Sequence, residues 1–308
     1  MTIGLAAAGP GAGAAILDAL ARLEAVCEGA VGGFVSMAAM APGGDVVRAD
    51  IQRGGAQALM TRTLPPGLMD APLAVLMSSG PDRPEPLAQF TPARRGVGLV
   101  TGHRFPNARG LGGAPMGEQA LDGLEAGGAP EAVVADLMAR NPQADAGLIV
   151  LAPDGRVGLA NSALVRRHVD LGARVERGEG YAVAVLHNSI RPHAALADLA
   201  VELVLRRLRP ADADRRTVQI GAGLPVSGSA PRSRIHASEG RAVALELATA
   251  FNGEASWSAG LGPDAEIVEG ARVIGHARAD PFLLVRDARL VSADGQPTLA
   301  MPYRPLPA

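Results

Sequence analysis

Four short polar stretches hold the groups in this chain best suited to covalent chemistry. Thr2 stands behind Met1, and three further clusters each end an apolar run: Ser78-Ser79-Gly80-Pro81-Asp82-Arg83, Thr101-Gly102-His103-Arg104-Phe105-Pro106-Asn107 and His187-Asn188-Ser189. A hydroxyl attacks a carbonyl only when a base takes its proton. A threonine freed at a chain start carries that base itself, an α-amine with an ordinary pKa of about 8. With Met1 attached, Thr2 has no free amine and simply begins a strand, and both readings stand. In the 101–107 cluster, Thr101 supplies a hydroxyl and His103 a base or orienter near neutral pH. Arg104 can hold a carboxylate in a fork, and Asn107 can donate to an oxyanion. The competing reading is a structured loop whose polar groups bond their own backbone. His187 and Asn188 either line the same pocket or, for Asn188, cap the next helix. Ser79 lines a pocket or sits in a turn, since the Gly-x-Ser-x-Gly spacing of a nucleophile elbow is missing.

Composition removes other chemistries. All 29 basic residues are Arg, so a Schiff-base lysine, a P-loop lysine and a Ser-Lys dyad are excluded. A net charge of −2 argues against nucleic acid as the partner. Cys27 is the single cysteine, read as packing on a helix, and it permits no intramolecular disulfide, which fits a reducing compartment. The six histidines are scattered and no His-Glu-x-x-His occurs, so no metal is expected. Gly9-Pro10-Gly11-Ala12-Gly13-Ala14 follows a strand and opens a helix, as a dinucleotide loop does. Yet no acidic residue ends the next strand, and a tight turn is the preferred reading, with no cofactor. The N-terminus is a poor signal peptide, and no apolar run approaches the ~20 residues of a membrane span. A cytoplasmic protein with a small-molecule partner is expected, with no nucleic acid or membrane partner and with room for a homo-oligomer.

The elements that must position these groups follow from periodicity. Buried strands are expected at 2–8, 31–40, 46–52, 73–77, 96–101, 148–152, 157–160 and 181–186. Pro42-Gly43-Gly44 and Pro153-Asp154-Gly155 read as hairpin turns. Helices are expected at 14–27, 116–126 and from Pro130 to about Asn141, and at 193–208, where Leu196, Leu199, Leu203 and Leu208 mark one face. Beyond Pro210 short strands dominate, with one more helix expected at 239–251. At 48% hydrophobic but 3% aromatic, the chain must fill its core with Ala, Val and Leu. Hairpins interleaved with helix pairs suit antiparallel or mixed sheets covered by helices rather than a doubly wound parallel sheet.

The segment Ala93-Arg94-Arg95-Gly96-Val97-Gly98-Leu99-Val100-Thr101 resembles the Ala-Arg-Ala-Gly-Val-Gly-Ala-Val-Ala-Thr stretch of an uncharacterised bacterial family placed with the N-terminal-nucleophile (Ntn) hydrolase fold. The likeness continues through Gly127-Gly128-Ala129-Pro130-Glu131, Arg140-Asn141-Pro142 and Pro153-Asp154-Gly155-Arg156-Val157. It covers residues 93–160 and the first few residues, and it departs at Gly102-His103, where that family has Gln. The resemblance implies an α/β (α+β) protein, an αββα four-layer sandwich, assigned to 1–210. The residues beyond 210 lie outside the likeness, and their short strands and turns are read as a β-rich lobe or extension of the core sheets at 211–308. Taken with the polar clusters, the resemblance leads to the expectation of a small-molecule hydrolase acting on an amide or related C–N bond. Thr2 is the catalytic candidate that the resemblance implies, and Thr101, His103 and Asn188 are the catalytic candidates that the strand-end clusters supply. Arg104, Asn107, Ser79 and His187 are then substrate-binding candidates. The alternative is a non-catalytic protein that binds small carboxylates on the same scaffold.

Overall fold

The computed structural model describes residues 1–29, 31–208, 216–249, 256–262 and 264–306. The chain divides into two compact units, Met1–Pro210 and Ala211–Ala308. The first holds β1 (Thr2–Ala8), α1 (Ala12–Val26), β2 (Phe34–Met40), β3 (Val46–Ile51), α2 (Gly55–Met60), β4 (Leu73–Ser79), β5 (Ala93–Arg94) and β6 (Gly98–Arg104). There follow α3 (Met116–Glu125), α4 (Pro130–Arg140), β7 (Ala146–Leu151), β8 (Val157–Asn161), β9 (Leu171–Gly178), β10 (Tyr181–Asn188) and α5 (Leu196–Leu208).

Two antiparallel sheets result, in the orders β3-β2-β4-β1-β10-β9 and β5-β6-β7-β8. β1 lies inside the larger sheet and is buried along its whole length, because each face is covered by a different layer. Ile3, Leu5 and Ala7 pack with Ile16, Leu20, Val201 and Leu205 of α1 and α5. Ala6 and Ala8 point the other way and meet Leu99, Ile149 and Leu151 of the second sheet. The outer face of that second sheet packs under α3 and α4 through Val100, Leu148, Leu121 and Leu137. This two-sided burial is why the strands read as continuous apolar runs rather than as alternating ones.

Small residues set the spacing between the sheets. Gly4 of β1 lies against the backbone of Gly102 on β6, where an added Cβ would stand 2.5 Å from the Gly102 carbonyl oxygen. Backbone cannot swing aside as a side-chain tip can. Gly4→Ala is therefore expected to destabilise the protein by about 2 kcal/mol or more, read as a lower urea midpoint at unchanged slope. An unchanged midpoint would show that the sheets separate freely at this point.

A half-buried carboxylate on the helical side makes stability depend on pH. Glu24 of α1 accepts the Ala56 N–H of α2 at 2.9 Å, so it caps a helix whose N-terminal residues offer no side chain to do so. Burial pushes its pKa up to about 7, although the Ala56 N–H and the Ser78 hydroxyl pull it back. The folded state thus holds this proton more tightly than the unfolded chain. The associated stability is complete below about pH 4.5 and is lost as pH rises to about 7. Glu24→Gln is expected to flatten that decline in a denaturation series across this pH range.

Three expectations for the helices and one for a strand need correction. The 14–27 helix is α1 and stops at Val26. Cys27 is its extended C-cap, half-buried, with its thiol pushed up by burial. In α5, Leu199 faces solvent and the buried stripe is Leu196, Ala197, Ala200, Val201, Val204, Leu205 and Leu208. Small residues, not only the leucines, define the face. β2 begins at Phe34 rather than residue 31, since Gly33 packs directly on the Gly80–Pro81 backbone.

The helix expected at 239–251 is absent where residues are described; residues 250 and 251 lie outside them. The second unit consists of β11 (Arg216–Gly221), β12 (Val226–Ser227), β13 (Arg234–Ser238), β14 (Arg241–Glu246), β15 (Trp257–Gly260), β16 (Glu266–Glu269), β17 (Arg272–Ala277), β18 (Phe282–Arg286), β19 (Arg289–Ala293) and β20 (Thr298–Pro305). Glu239 and Gly240 both take positive φ and turn β13 into β14 as a hairpin, and a register shift that skips Val243 lets β14 bury both Ala242 and Leu245. Local helix propensity yields to that turn and its cross-strand partners. Six strands close on themselves in the order β11-β20-β17-β16-β13-β14, the last joining the first through Gln219 and Arg241, and form a β-barrel. No helix among the described residues is long and apolar enough to cross a membrane.

Candidate functional site

The three polar clusters and Thr2 meet at one end of the two sheets of the first unit. Register aligns Phe34, Ser79, Thr2 and Asn188 as one row across β2, β4, β1 and β10. Residues in register share a face. Ala6 and Ala8 place the even positions of β1 between the sheets, so Thr2, Ser79 and Asn188 all face that inner layer. From the opposite sheet, the backbone N–H of Arg104 donates to Thr2 Oγ1 at 3.3 Å. Ser79 Oγ donates to the Met1 carbonyl oxygen at 2.5 Å, and Arg83 Nη2 donates in turn to Ser79 Oγ. A donor is thus aimed at the carbonyl immediately beside Thr2.

The strand expected to end at Thr101 runs on through Arg104 as β6, so Gly102, His103 and Arg104 are strand residues rather than loop, and only Phe105 onward leaves the strand. The Gly-containing sequence still extends as strand because Gly102 packs on Gly4. Thr101 lies deep between the sheets and donates to the Leu76 carbonyl at 2.9 Å. His103 is fully buried, with Nε2 2.7 Å from Asn161 Oδ1. Gly147 lies between them in register, and any Cβ there would collide with both side chains. Burial drives the His103 pKa down to about 4, with Asn161 and then Asn188 pulling it back and Arg104 adding to the depression. Asn188 approaches the imidazole, but its Oδ1 and His103 Nδ1 each lack a hydrogen-bond partner among the described residues. The ring is a neutral imidazole at pH 7.

Arg104 does grip a carboxylate in a fork, but it is the chain's own Asp145, with Nη2 to Oδ2 at 3.0 Å. Asn107 donates to Gln89 Oε1 at 2.7 Å. His187 belongs with Val183 and Val185 on the helical face, opposite Asn188, and its ring lies over Gly172, its partner on β9. Burial also lowers its pKa to about 4, with His103 and His193 adding to the effect. The helix-cap reading of Asn188 fails, since α5 begins at Leu196 and Asn188 is the buried last residue of β10.

Backbone strain marks the same end. Arg104 and Ser189 take φ of 62° and 56°, in the left-handed region that costs a non-glycine residue of order 1 kcal/mol. Each follows directly on a buried polar side chain, and Ser189 is held by donating to Asp170. A cleft of about 400 Å³ opens here among Met1, Gly29, Asp170, Ser189, Arg191 and His193. The α-amine of Met1 in this cleft is held below its ordinary 8.0, first by burial and then by Arg83 and Arg104. A larger hollow, about 1190 Å³, lies at the other end of the same strands among Ala8, Met40, Leu73 and Ala182. Its Arg156 and Arg177 are already bonded to Asp154 and Glu131.

Asn161, Asp145 and Arg83 were not singled out beforehand. Arg83 closes the Ser78–Arg83 cluster, which pointed to the right loop. Asn161 and Asp145 reach the site only through strand pairing, and no local motif marks them.

Fold and site together define a mixed α+β domain of helix-covered antiparallel sheets, with a converged polar end and a barrel-bearing C-terminal unit. The profile of a domain of unknown function (DUF6963) matches residues 2–217, so the chain belongs to that family. A second domain of unknown function (DUF7259) matches residues 223–298, within the barrel unit. No curated protein matches the chain.

Proposed function

We propose that the first unit is an αββα four-layer sandwich of the Ntn-hydrolase type, and that it hydrolyses an amide or related C–N bond of a small molecule with Thr2 as nucleophile once Met1 is removed. The observation that carries this reading is the placement of Thr2. It is the first residue of an inner strand, faces the layer between the sheets, and has its Oγ1 held by an N–H from the opposite sheet.

The freed α-amine of Thr2 takes the Oγ1 proton as Oγ1 bonds to the substrate carbonyl carbon. The C–N bond then breaks, and the departing amine takes that proton. Water next cleaves the resulting ester and restores the threonine hydroxyl. The groups around Thr2 support each part. The Met1 amine is held low by burial, Arg83 and Arg104, and a Thr2 amine freed beside it meets the same guanidinium groups, which favour its uncharged form. The Ser79 hydroxyl, now on the Met1 carbonyl, is a donor for the substrate oxyanion once Met1 has gone. Asn188 flanks Thr2 on the other side. His103 is a buried neutral ring that fixes this end of β6 to Asn161, and Thr101 pins β6 to β4.

Intact-mass measurement combined with an amidase assay tests this reading. The expected result is a chain lacking Met1 that releases amine from small anilides. Activity in protein that quantitatively retains Met1 would exclude Thr2 chemistry. Carboxylate binding with no turnover would favour the non-catalytic alternative.

A further inference from the structure

The geometry points to Arg83 as the anion anchor of the Thr2 site and to a carboxylate-bearing amide as its substrate. This rests on the reading of Thr2 given above. It assigns a residue and a substrate charge that the reading leaves open.

Arg83 is a guanidinium at this site with no carboxylate partner among the described residues. Arg104 is committed to Asp145, and the neighbouring Asp82 is bonded to Arg53. Among the described residues, no carboxylate lies within ion-pair distance of Arg83, and its Nε is buried without a hydrogen-bond partner. Its Nη2 donates to Ser79, the residue that holds the carbonyl beside Thr2, and its guanidinium carbon stands 5.7 Å from the centre of the Phe34 ring. Phe34, Ser79 and Thr2 are consecutive members of one cross-strand row, and Arg83 lies on the first two, with Ser79 between it and Thr2.

The backbone that carries this side chain is also fixed in advance. Gln52 accepts the Arg83 N–H at 3.0 Å and donates to the Arg83 carbonyl at 2.6 Å, which pins the backbone from both sides. Burial lowers the Arg83 pKa with no acidic neighbour to raise it again. A guanidinium that is rigid, stacked on an aromatic ring and partly desolvated, yet unpaired, loses free energy in the empty protein and regains it when an anion arrives. The planar fork of Arg matches a carboxylate, and its position beside Ser79 sets that carboxylate close to the scissile carbonyl.

The test uses binding, so that it is independent of turnover. Met1-free protein carrying Thr2→Ala is titrated calorimetrically with N-acetylglycine and with its neutral counterpart N-acetylglycinamide. The expected result is at least about tenfold tighter binding of N-acetylglycine. Arg83→Gln should erase that preference and Arg83→Lys should keep part of it. Equal binding of the two probes, or a preference that survives in folded Arg83→Gln, overturns the assignment. The two readings fail separately. A preference for the anion without amidase activity in the Thr2 protein removes the hydrolase and leaves Arg83. Hydrolysis of neutral and anionic amides at equal rates removes Arg83 and leaves Thr2.

Discussion

Thr2→Ala in Met1-free protein is expected to lower amide hydrolysis by at least about a thousandfold, a loss of roughly 4 kcal/mol of transition-state stabilisation. The alanine keeps the α-amine and the fold but has no Oγ to bond to the carbonyl carbon. Thr2→Ser should retain activity, since the hydroxyl and the Arg104 N–H that meets it both remain. Ser79→Ala should act differently. It removes a donor from the carbonyl oxygen, so kcat should fall by about a hundredfold while the chain still matures. The decisive measurement is single-turnover kinetics on a small anilide with intact mass determined on the same sample. A fully active Thr2→Ala protein would transfer the chemistry elsewhere and leave the convergence of Thr2, Ser79 and Asn188 as packing.

Acidification from pH 7.5 to pH 5 is expected to cost about 2 kcal/mol for each of His103 and His187, hence about 4 kcal/mol together. Both rings are buried and neutral, with folded pKa values near 4 against an ordinary 6.5. The unfolded chain therefore binds protons in this window that the folded chain refuses. The stability is fully present above about pH 6.5 and is lost as pH falls toward 4. Glu24 acts in the opposite sense over much of the same range, so the measurement belongs in a Glu24→Gln background. His187→Leu should remove about half of the loss. Its ring nitrogens have no partners among the described residues, so the leucine breaks no hydrogen bond. His103→Gln should remove the other half while leaving an amide to meet Asn161. Denaturant midpoints of wild type and variants that stay parallel between pH 7.5 and 5 would show that these rings are hydrated in the folded protein.

Elements that carry their own signal were legible in the residues. The Pro153-Asp154-Gly155 turn makes the β7–β8 hairpin, Pro130 opens α4, and Thr2–Ala8 is a buried strand. Each depends on local chemistry: a fixed φ, a tolerated positive φ, or an unbroken apolar run bounded by glycine. Where tertiary contacts compete with local preference, the reading failed. Residues 241–246 form a barrel strand because the Glu239-Gly240 turn and the partners on β13 outweigh their helix propensity. The 102–104 segment is strand rather than loop because Gly102 has Gly4 to rest on.

The site divides along the same line. Residue types alone determined that a hydroxyl, an imidazole, amides and guanidinium groups stand at strand ends, and that lysine chemistry and an intramolecular disulfide are excluded. Only the pairing of β4, β1 and β10, and the close approach of β6, decided that Thr2, Ser79 and Asn188 share one face, that His187 lies on the other, and that Arg104 is spent on Asp145 while Arg83 has no carboxylate partner among the described residues. The physical reason is parity and distance. A strand residue's face is set by its register with neighbours far along the chain, and one step of register exchanges the inner layer for the outer. No window of sequence contains that information, because the partners of Thr2 lie 77, 102 and 186 residues away.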